Sequence, residues 1–339
     1  MRIVKLTKET TKNILENMLK RSPSQYGEYE SRVQAIIQNI KENGDEALFS
    51  YTKQFDKADI DASNVKVTEA EFVKGFIRLC DDGFKQNWHE RNGGNLSYRI
   101  KPEEVESVKE ELTDTNPWQP IGTSVPKLAG EYFMVTGSGK YFRNVILDPA
   151  ANSCIIEVDE AGENYRICWG LVNGGRPTSE LPSHLMNHEV KKEVTNGKHR
   201  VIYHAHPTNV IALTFVLPLE DKVFTRELWE MATECPVVFP DGVGVVGWMV
   251  PGGRDIAVAT SELMKKYDVA VWAHHGLFAS GEDFDLTFGL MHTVEKSAEI
   301  LVKVLSIRPD KLQTITPQNF RDLAKDFKVT LPEEFLYEK

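Results

Sequence analysis

Residues 200–206 read RVIYHAH, a short apolar run that ends in two histidines one residue apart. On a β-strand, residues i and i+2 point to the same side. His204 and His206 would therefore present both imidazole rings to one face, as a metal chelate requires. On this stretch alone, a strand end near the surface that carries two hydrogen-bonded histidines is the simpler interpretation.

Length and charge limit the possible functions. The chain has 339 residues, and its 40 basic and 50 acidic side chains give a formal net charge of −10. This length allows one large domain, or a domain with an appendage. The negative balance argues against a nucleic-acid surface or an anionic membrane as partner. No apolar run reaches about 18 residues and the start lacks a secretion signal, so we expect a soluble, cytoplasmic protein.

The first seventy residues differ in character from the rest. Residues 28–52 place apolar side chains at helical spacing, and Gly44 predicts the end of that helix. A second short helix should follow, from Asp45 to about Gln54. After a strand-like RIVKL at the start, we predict a small, mostly helical segment over residues 1–70 and a second domain over 71–339. The apolar helix face comprises Val33, Ile36, Ile37 and Ile40.

The N-terminal segment resembles one known family. Its stretch VQAIIQNIKENGDEALFSYTKQFD, residues 33–56, is similar to the N-terminal segment of histidinol dehydrogenases, over about the first 70 residues only. The active-site histidines, zinc ligands and nucleotide-binding domain of that family have no counterpart later in the chain. The resemblance therefore does not imply histidinol oxidation. The segment is either an assembly or docking element, or a fused remnant without a role.

From Phe72 onward, helices alternate with glycine-rich turns and short strands. A helix is predicted through residues 76–90, and the charged stretch 101–120 is predicted to be an exposed excursion between strands. Residues 297–307 and 321–329 predict the last helices. Strands mixed with helices predict an α/β fold with three layers, an α/β/α sandwich.

Two further stretches strengthen the metal interpretation of His204 and His206. VAVWAHHGLFASG (269–281) predicts an apolar strand that ends in histidine and glycine, so that His274 or His275 could be a third ligand. PTSELPSH (177–184) places Glu180 in a turn that opens a helix, with backbone donors free nearby. A lone glutamate at such a position is more often only a cap.

Two glycine-rich loops complete the pattern. RNGGN (91–95) and TGSGK (136–140) can bring backbone amides close to a phosphate. A glycine loop alone is usually only a turn. Together, however, three histidines, one carboxylate and two amide-rich loops describe a metal site that binds a phosphorylated substrate.

Seven motifs in order carry a specific resemblance. RNGGN, VTGSGK, PTSELPSH, YHAHPTN, FTRELWEMATEC, FPDGVG and WAHHGLF resemble the class II aldolase and adducin family, from about Phe72 to near the C terminus. The resemblance implies the fold of a class II aldolase and one Zn²⁺ ion per subunit. It also implies that the zinc ligands are His204, His206 and His275, whereas His274 is not needed as a ligand.

The same resemblance assigns the catalytic and phosphate-binding residues. Glu180 falls at the catalytic carboxylate, and Glu234 matches an acid lent across a subunit boundary in a homotetramer with fourfold symmetry. The phosphate-binding residues that it implies are Asn92, Gly94, Asn95, Ser138, Gly139, Thr178 and Ser179.

The resemblance implies reversible retro-aldol cleavage of L-rhamnulose 1-phosphate to dihydroxyacetone phosphate and L-lactaldehyde. Zinc held by neutral imidazoles can act as a Lewis acid as the C3–C4 bond breaks. Glu180 is the candidate for the proton at C3, because a carboxylate shielded from water can be tuned toward a neutral pKa. The group that accepts the C4 hydroxyl proton stays open between Glu234 of the partner subunit, water and a tyrosine.

Two alternatives remain at this point. The same fold could cleave another sugar phosphate or epimerise a pentulose phosphate at C4, although the PTSELPSH and FTRELWEMATEC stretches favour rhamnulose phosphate. A non-catalytic scaffold like the adducin head is disfavoured by the complete set of three histidines and Glu180. The other histidines are expected to be surface or helix residues rather than ligands: His89, His184, His188, His199 and His292.

Overall fold

The structure is a computed structural model that describes residues 27–57, 60–61 and 70–338. The chain divides into two compact units, Met1–Glu69 and Ala70–Lys339. The predicted strand at RIVKL lies outside the described residues. Across the described ranges, no helix is both long enough and apolar enough to span a membrane.

The described part of the first unit is a helical hairpin. Helix α1, Gly27–Phe55, is interrupted at Gly44, whose φ of 56° is not helical. The side-chain amide of Asn39 donates a hydrogen bond of 2.9 Å to the hydroxyl of Tyr51. Residues twelve apart in a straight helix are separated by about 18 Å, so the second half folds back on the first. The predicted helix end at Gly44 and the second helix are confirmed.

The second unit alternates helices with strands. Its helices are α2 Glu71–Lys85, α3 Pro102–Ser107, α4 Phe142–Val145, α5 Pro149–Asn152, α6 Leu181–Val194, α7 Thr208–Leu213, α8 Asp221–Trp229, α9 Cys235–Val238, α10 Arg254–Met264, α11 Phe284–Ile307 and α12 Pro317–Phe327. Its strands are β1 Asn95–Arg99, β2 Gln119–Pro120, β3 Tyr132–Thr136, β4 Ser153–Val158, β5 Asn164–Gly170, β6 Val201–Ala205, β7 Gly244–Val246, β8 Val269–Trp272 and β9 Gly276–Gly281.

The strands of the described residues form one mixed sheet in the order β2-β5-β4-β3-β1-β6-β9-β8-β7. Only β7 and β8 pair in parallel, and the other neighbours are antiparallel. The stretch 101–120 leaves the sheet after β1 and returns as the edge strand β2, mostly with exposed side chains. The predicted excursion between strands is therefore confirmed.

The sheet is covered on both faces. Leu96 of β1 and Tyr203 of β6 belong to one hydrophobic core, which also contains Phe76 of α2. Ile202, the neighbour of Tyr203, belongs to a different core, with Ile256 of α10. Because successive strand residues face opposite sides, these two cores lie on opposite faces of the sheet. The predicted three-layer α/β/α sandwich is confirmed.

Residues 269–281 form a hairpin, of which the sequence predicted only the first strand, the one that leads to the two histidines. Strands β8 and β9 pair in antiparallel fashion with Trp272 opposite Gly276, so the two histidines occupy the turn between them. His274 adopts a left-handed φ of 62° there. Gly276 does not mark a strand end; a Cβ at this position would lie 2.3 Å from the carbonyl oxygen of Ala205. The glycine is required because β9 approaches β6 closely.

Candidate active site

The candidate site lies at one end of the sheet, where β1 begins and β6 ends. Asn95 is paired with His204 across these two central strands. His206 follows β6 by one residue, and the β8–β9 turn brings His275 to the same end, because β9 pairs along β6. The fold thus collects residues from distant parts of the sequence.

The three imidazoles of His204, His206 and His275 form an almost equilateral cluster. The ring centroids of His204 lie 5.1 Å from those of His206 and His275, which are 4.9 Å apart. One ligand atom from each residue lies within 4.8 Å of the others. The Nε2 atoms of His204 and His275 are 3.4 Å apart, and nitrogens bound to one tetrahedral zinc ion are about 3.3–3.4 Å apart. This cluster could hold a metal ion.

Hydrogen bonds on the outer nitrogens orient two of the rings. Nδ1 of His204 donates to the carbonyl oxygen of Leu277 at 3.0 Å, which leaves Nε2 with its lone pair toward the site. Nδ1 of His206 lies 2.7 Å from Oε1 of Glu90, and Nε2 of His206 is buried without a hydrogen-bond partner among the described residues. Buried polar atoms normally have a partner. A metal ion would supply it, and the histidine–carboxylate pair is typical of metal sites.

The electrostatics favour neutral rings. Burial lowers the pKa of His204 well below its usual value, and repulsion from His206 and His275 lowers it further. Burial, together with His206, lowers the pKa of His275 to about 4. A metal binds the neutral imidazole. These two ligands therefore need not lose a proton to bind a cation near neutral pH.

Glu180 lies beside the histidines. It occupies the position directly before α6, so the predicted location in a turn that opens a helix is confirmed. Its side chain is buried, with 8% of the residue exposed. Its Oε2 lies 3.7 Å from Nε2 of His204 and accepts a hydrogen bond of 2.9 Å from the side-chain amide of Asn95. Burial raises the pKa of Glu180, while Asn95 and His206 oppose that rise.

The RNGGN loop packs directly on the metal-ligand candidates. A Cβ on Gly93 would lie 2.9 Å from the ring of His206, and a Cβ on Gly94 would lie 2.7 Å from the carbonyl oxygen of His204. Gly94 also has a left-handed φ of 75°. Gly94 therefore requires glycine, because a side chain there would meet the backbone of β6, whereas a side chain at Gly93 would displace the ring of His206.

The TGSGK loop and the loop that contains PTSELPSH are joined by backbone hydrogen bonds. Gly137 forms a bridge with Pro177, Ser138 donates to Arg176 at 2.8 Å, and Thr178 donates to Thr136 at 2.9 Å. The hydroxyl of Thr136 accepts a hydrogen bond of 3.1 Å from the backbone of Leu96. This contact connects these two loops to strand β1, which follows the RNGGN loop. All three loops therefore meet at the same end of the sheet as the histidines.

The residues predicted to bind phosphate differ in accessibility. Asn92, Gly139 and Ser179 are exposed, Gly94 and Ser138 are half-buried, and Asn95 and Thr178 are buried. Open space surrounds the Cβ position of Gly139. The side chain of Thr178 accepts from the backbone of Glu180 at 3.2 Å. Both polar atoms of the Asn95 side chain already have a partner within the protein, Glu180 or His184, and the amide group keeps one further N–H donor.

Glu234 is separate from the histidine cluster. It is exposed at the start of α9 and lines a pocket of about 360 Å³ with His292 and Lys296. Within the described part of the chain, no hydrogen bond or ion pair joins its side chain to the three histidines. Its predicted role across a subunit boundary stays a prediction.

Several residues at the site were not predicted from the sequence. His89 was expected to be a surface or helix residue. This expectation is wrong, because His89 lies outside the helices and is buried behind the RNGGN loop. Its ring nitrogens lie 2.6 Å from the hydroxyl of Tyr203 and 3.0 Å from the carbonyl oxygen of Gly93, and burial lowers its pKa to about 3. His89 and Glu90 lie 114 and 116 residues from their partners. No local sequence pattern reveals such pairs.

The match to known families agrees with this geometry. The family model described as the class II aldolase and adducin N-terminal domain matches residues 74–302. The chain belongs to the class II aldolase and adducin family. Within this family, the rhamnulose-1-phosphate aldolase of Mannheimia succiniciproducens is 54% identical over 259 residues, which cover 76% of this chain and 95% of that protein. The enzyme of the same name from Pectobacterium atrosepticum is 50% identical, with coverages of 76% and 94%. This class II aldolase is therefore a lyase.

Solved structures of the family share the fold. A sugar-phosphate aldolase from Thermotoga maritima superposes with a TM-score of 0.62 at 27% identity, covering 71% of this chain and 97% of that one. A structure of L-fuculose 1-phosphate aldolase gives a TM-score of 0.51 at 18% identity, with coverages of 77% and 97%. At that identity the likeness concerns the fold alone.

The N-terminal resemblance extends further than the sequence motifs indicated. A histidinol dehydrogenase family model matches residues 19–113, whereas the resemblance was expected to cover only about the first 70. The match overlaps the aldolase match at residues 74–113. It therefore includes α2 and β1 of the second unit.

Proposed function

We propose that this class II aldolase depends on zinc and cleaves L-rhamnulose 1-phosphate reversibly to dihydroxyacetone phosphate and L-lactaldehyde. The observation that carries the proposal is the convergence of three imidazoles beside a buried carboxylate, Glu180. The choice of substrate is supported by relatives named rhamnulose-1-phosphate aldolase that are 50–54% identical across 94–95% of their own length.

The donor set favours zinc as the metal. Three imidazole nitrogens that lie within 4.8 Å of one another would leave open positions for a substrate, as in catalytic zinc sites. His204, His206 and His275 would hold the ion, one per subunit, and Glu90 would orient His206. The bound ion would act as a Lewis acid that stabilises the negative charge developing on the substrate carbonyl oxygen.

Glu180 is the proposed acid and base for the proton at C3. When the C3–C4 bond breaks, its electron pair stays with the three-carbon phosphate fragment, and C3 must take up a proton to give dihydroxyacetone phosphate. Glu180 lies 3.7 Å from Nε2 of His204. Because burial raises its pKa, the carboxyl group can carry a proton closer to neutral pH than an exposed glutamate does.

The proton of the C4 hydroxyl needs a different acceptor. As that proton leaves, the C4 oxygen becomes the carbonyl oxygen of L-lactaldehyde. We assign this step to Glu234 of the partner subunit, because Glu234 is exposed and is not connected to the histidines of its own chain. The assignment requires an assembly, for which we propose a homotetramer with sites near the subunit interfaces, located in the cytoplasm.

The glycine-rich loops would bind the phosphate group, which does not react. Held by amides and hydroxyls, the phosphate fixes the substrate so that its binding energy orients C3 and C4. Support comes from the three loops meeting at the histidine end of the sheet and from the open space at Gly139. The proposed contacts are Asn92, Gly94, Asn95, Ser138, Gly139, Thr178 and Ser179.

The decisive experiment combines a metal analysis with a cleavage assay. We expect the purified protein to contain about one zinc ion per chain and to release dihydroxyacetone phosphate from L-rhamnulose 1-phosphate. Chelation and His275→Asn should abolish both zinc binding and cleavage. The matched variant is His274→Asn, one residue earlier in the same turn; asparagine tolerates the left-handed backbone of His274, so zinc should be retained.

The other results separate the alternatives. Zinc without cleavage of this substrate would contradict the proposed specificity and favour another sugar phosphate or a 4-epimerase. A protein without zinc and without cleavage would contradict the enzyme assignment altogether. Equal zinc loss in both histidine variants would contradict the assignment of His275 rather than His274 as the ligand.

A further inference from the structure

Glu180 is the first member of a buried chain of polar side chains that runs between helix α6 and strand β1. Glu180, His184 and His188 are spaced four residues apart, which places them on one helix face. Asn95 and Ser97 are spaced two apart on β1, which places them on one strand face. We call these five residues the polar ladder. All of them are at most 8% exposed, and Ser97, His184 and His188 are fully buried.

The ladder is continuous from one end to the other. The side-chain amide of Asn95 donates to Glu180 at 2.9 Å, and the other end of that amide contacts Nε2 of His184. Nδ1 of His184 lies 2.6 Å from the hydroxyl of Ser97, which in turn lies 2.8 Å from Nε2 of His188. The space behind the carboxylate of Glu180 is therefore occupied by hydrogen-bonded polar side chains rather than by apolar ones.

The chemistry of the partners gives these hydrogen bonds one direction. A carboxylate only accepts, so the NH₂ group of Asn95 faces Glu180 and its carbonyl oxygen faces His184. That oxygen also only accepts, so Nε2 of His184 carries the proton. Burial lowers the pKa of His184 to about 3, so the ring is neutral at neutral pH and Nδ1 accepts from Ser97. Ser97 then accepts from Nε2 of His188, and every donor points toward Glu180.

The far end of the ladder agrees with this assignment. A neutral His188 with a proton on Nε2 has a bare Nδ1, and this atom has no hydrogen-bond partner among the described residues. Hydrogen bonds that run in one direction polarise one another. The last of them, from Asn95, acts on the oxygen of Glu180 that lies 3.7 Å from His204.

We propose that His184 and Ser97 are positioning residues for the aldol reaction: through Asn95 they hold the carboxylate of Glu180 in one orientation beside the metal-binding histidines. Neither residue touches the metal-ligand candidates in the hydrogen bonds described here. The effect on turnover rests on the function proposed above. The effect on the position of Glu180 does not.

Four variants separate positioning from simple structural damage. His184→Phe keeps an aromatic ring in the buried space but removes both nitrogens, and Ser97→Ala removes only the hydroxyl. His184→Gln restores one donor and one acceptor. Asn187→Ala is the matched control, because Asn187 is fully buried on the same helix and its side-chain atoms have no hydrogen-bond partner among the described residues.

The kinetic readouts are kcat, KM, zinc content and the exchange of the C3 proton of dihydroxyacetone phosphate with deuterium oxide, followed by NMR. His184→Phe and Ser97→Ala should lower kcat and the exchange rate roughly 10–100-fold, with KM and zinc content close to wild type. His184→Gln should recover most of the loss, and Asn187→Ala should lose little. A kcat of His184→Phe within about twofold of wild type, or an equal loss in Asn187→Ala, would overturn the proposal.

Crystal structures of the wild type and of His184→Phe provide a readout that does not depend on the substrate. We expect the hydrogen bond between Asn95 and Glu180 to be lost or the carboxylate to move in the variant. An unchanged Asn95–Glu180 pair would overturn the ladder as a positioning device. If the wild type cleaves no sugar phosphate, the proposed function fails, and this comparison still decides the ladder.

Discussion

At the scale of single residues, Glu90 has the clearest influence on the candidate metal site. Its carboxylate lies 2.7 Å from Nδ1 of His206, although the glutamate itself is largely exposed. This contact keeps the proton on Nδ1, so that Nε2 turns a lone pair toward the other two histidines. A negative charge behind the ring also makes the imidazole a better donor to a cation.

Replacing Glu90 should therefore weaken metal binding without unfolding the protein. Glu90→Gln removes the charge and retains a carbonyl oxygen that can accept the same hydrogen bond. We expect the zinc affinity to fall roughly 10–100-fold, measured by competition with a chelator of known affinity. Glu106→Gln serves as the control, because Glu106 is an exposed carboxylate paired with Lys109. Equal affinities in the two variants would contradict the role of Glu90.

At the scale of secondary-structure elements, helix α6 packs polar side chains where a helix normally places apolar ones. Its N-terminal end carries Glu180, and His184 and His188 extend the same face into the interior against β1. Burial lowers the pKa of His184 to about 3 and that of His188 well below its usual value. For His188, repulsion from His184, Arg99 and Arg200 acts in the same direction.

These buried histidines predict a loss of stability in acid. In the unfolded chain a histidine takes up its proton near pH 6.5, whereas the folded pKa values are lower, so between these values the unfolded state binds more protons. Stability is therefore fully present above about pH 6.5 and falls as the pH decreases toward the folded pKa. Replacing His188 by glutamine should reduce the slope of the unfolding free energy with pH by up to about 1.4 kcal/mol per pH unit.

Urea denaturation of the metal-free protein at several pH values between about 7.5 and 4.5 measures this slope without a contribution from zinc. Asn187→Ala is again the control, since it removes a buried polar group that does not titrate in this range, and should leave the slope unchanged. A slope for His188→Gln equal to that of the wild type would mean that His188 does not contribute to the acid sensitivity.

At the scale of the whole molecule, the residues of the candidate site all belong to the second unit, Ala70–Lys339. The curated relatives described above are matched over 94–95% of their length by only 76% of this chain. The match to the aldolase family model begins at residue 74, so the helical hairpin of the first unit lies outside it. In that hairpin Val33 and Ile37 are 51% and 47% exposed.

A chain that begins at Ala70 should fold and retain its zinc content and kcat, because both faces of the sheet keep the helices that cover them. Its mass in solution, measured by light scattering beside that of the full chain, distinguishes an assembly element from a remnant without a role, and here we propose the first of these alternatives for the hairpin. A change in subunit number would support that proposal. An unchanged subunit number would contradict it, and loss of folding would contradict the independence of the second unit.

The sequence by itself determined the features that depend on local pattern. His204 and His206 point to the same side, because successive strand residues alternate between the two faces of the sheet. Glu180 directly precedes helix α6, and the non-helical backbone of Gly44 interrupts α1. The mixture of strands and helices was sufficient to predict the three layers.

Only the tertiary structure decided which distant residues meet. The sequence predicted the strand that leads to His274 and His275 but missed β9, because only the pairing of β9 with β6 and β8 identifies it as a second strand. The partners of His206 and Tyr203, Glu90 and His89, lie more than a hundred residues away. The polar ladder likewise depends on the register of α6 against β1. Such contacts are set by the packing of elements in three dimensions, because local spacing specifies which side of an element a residue faces but not what lies opposite.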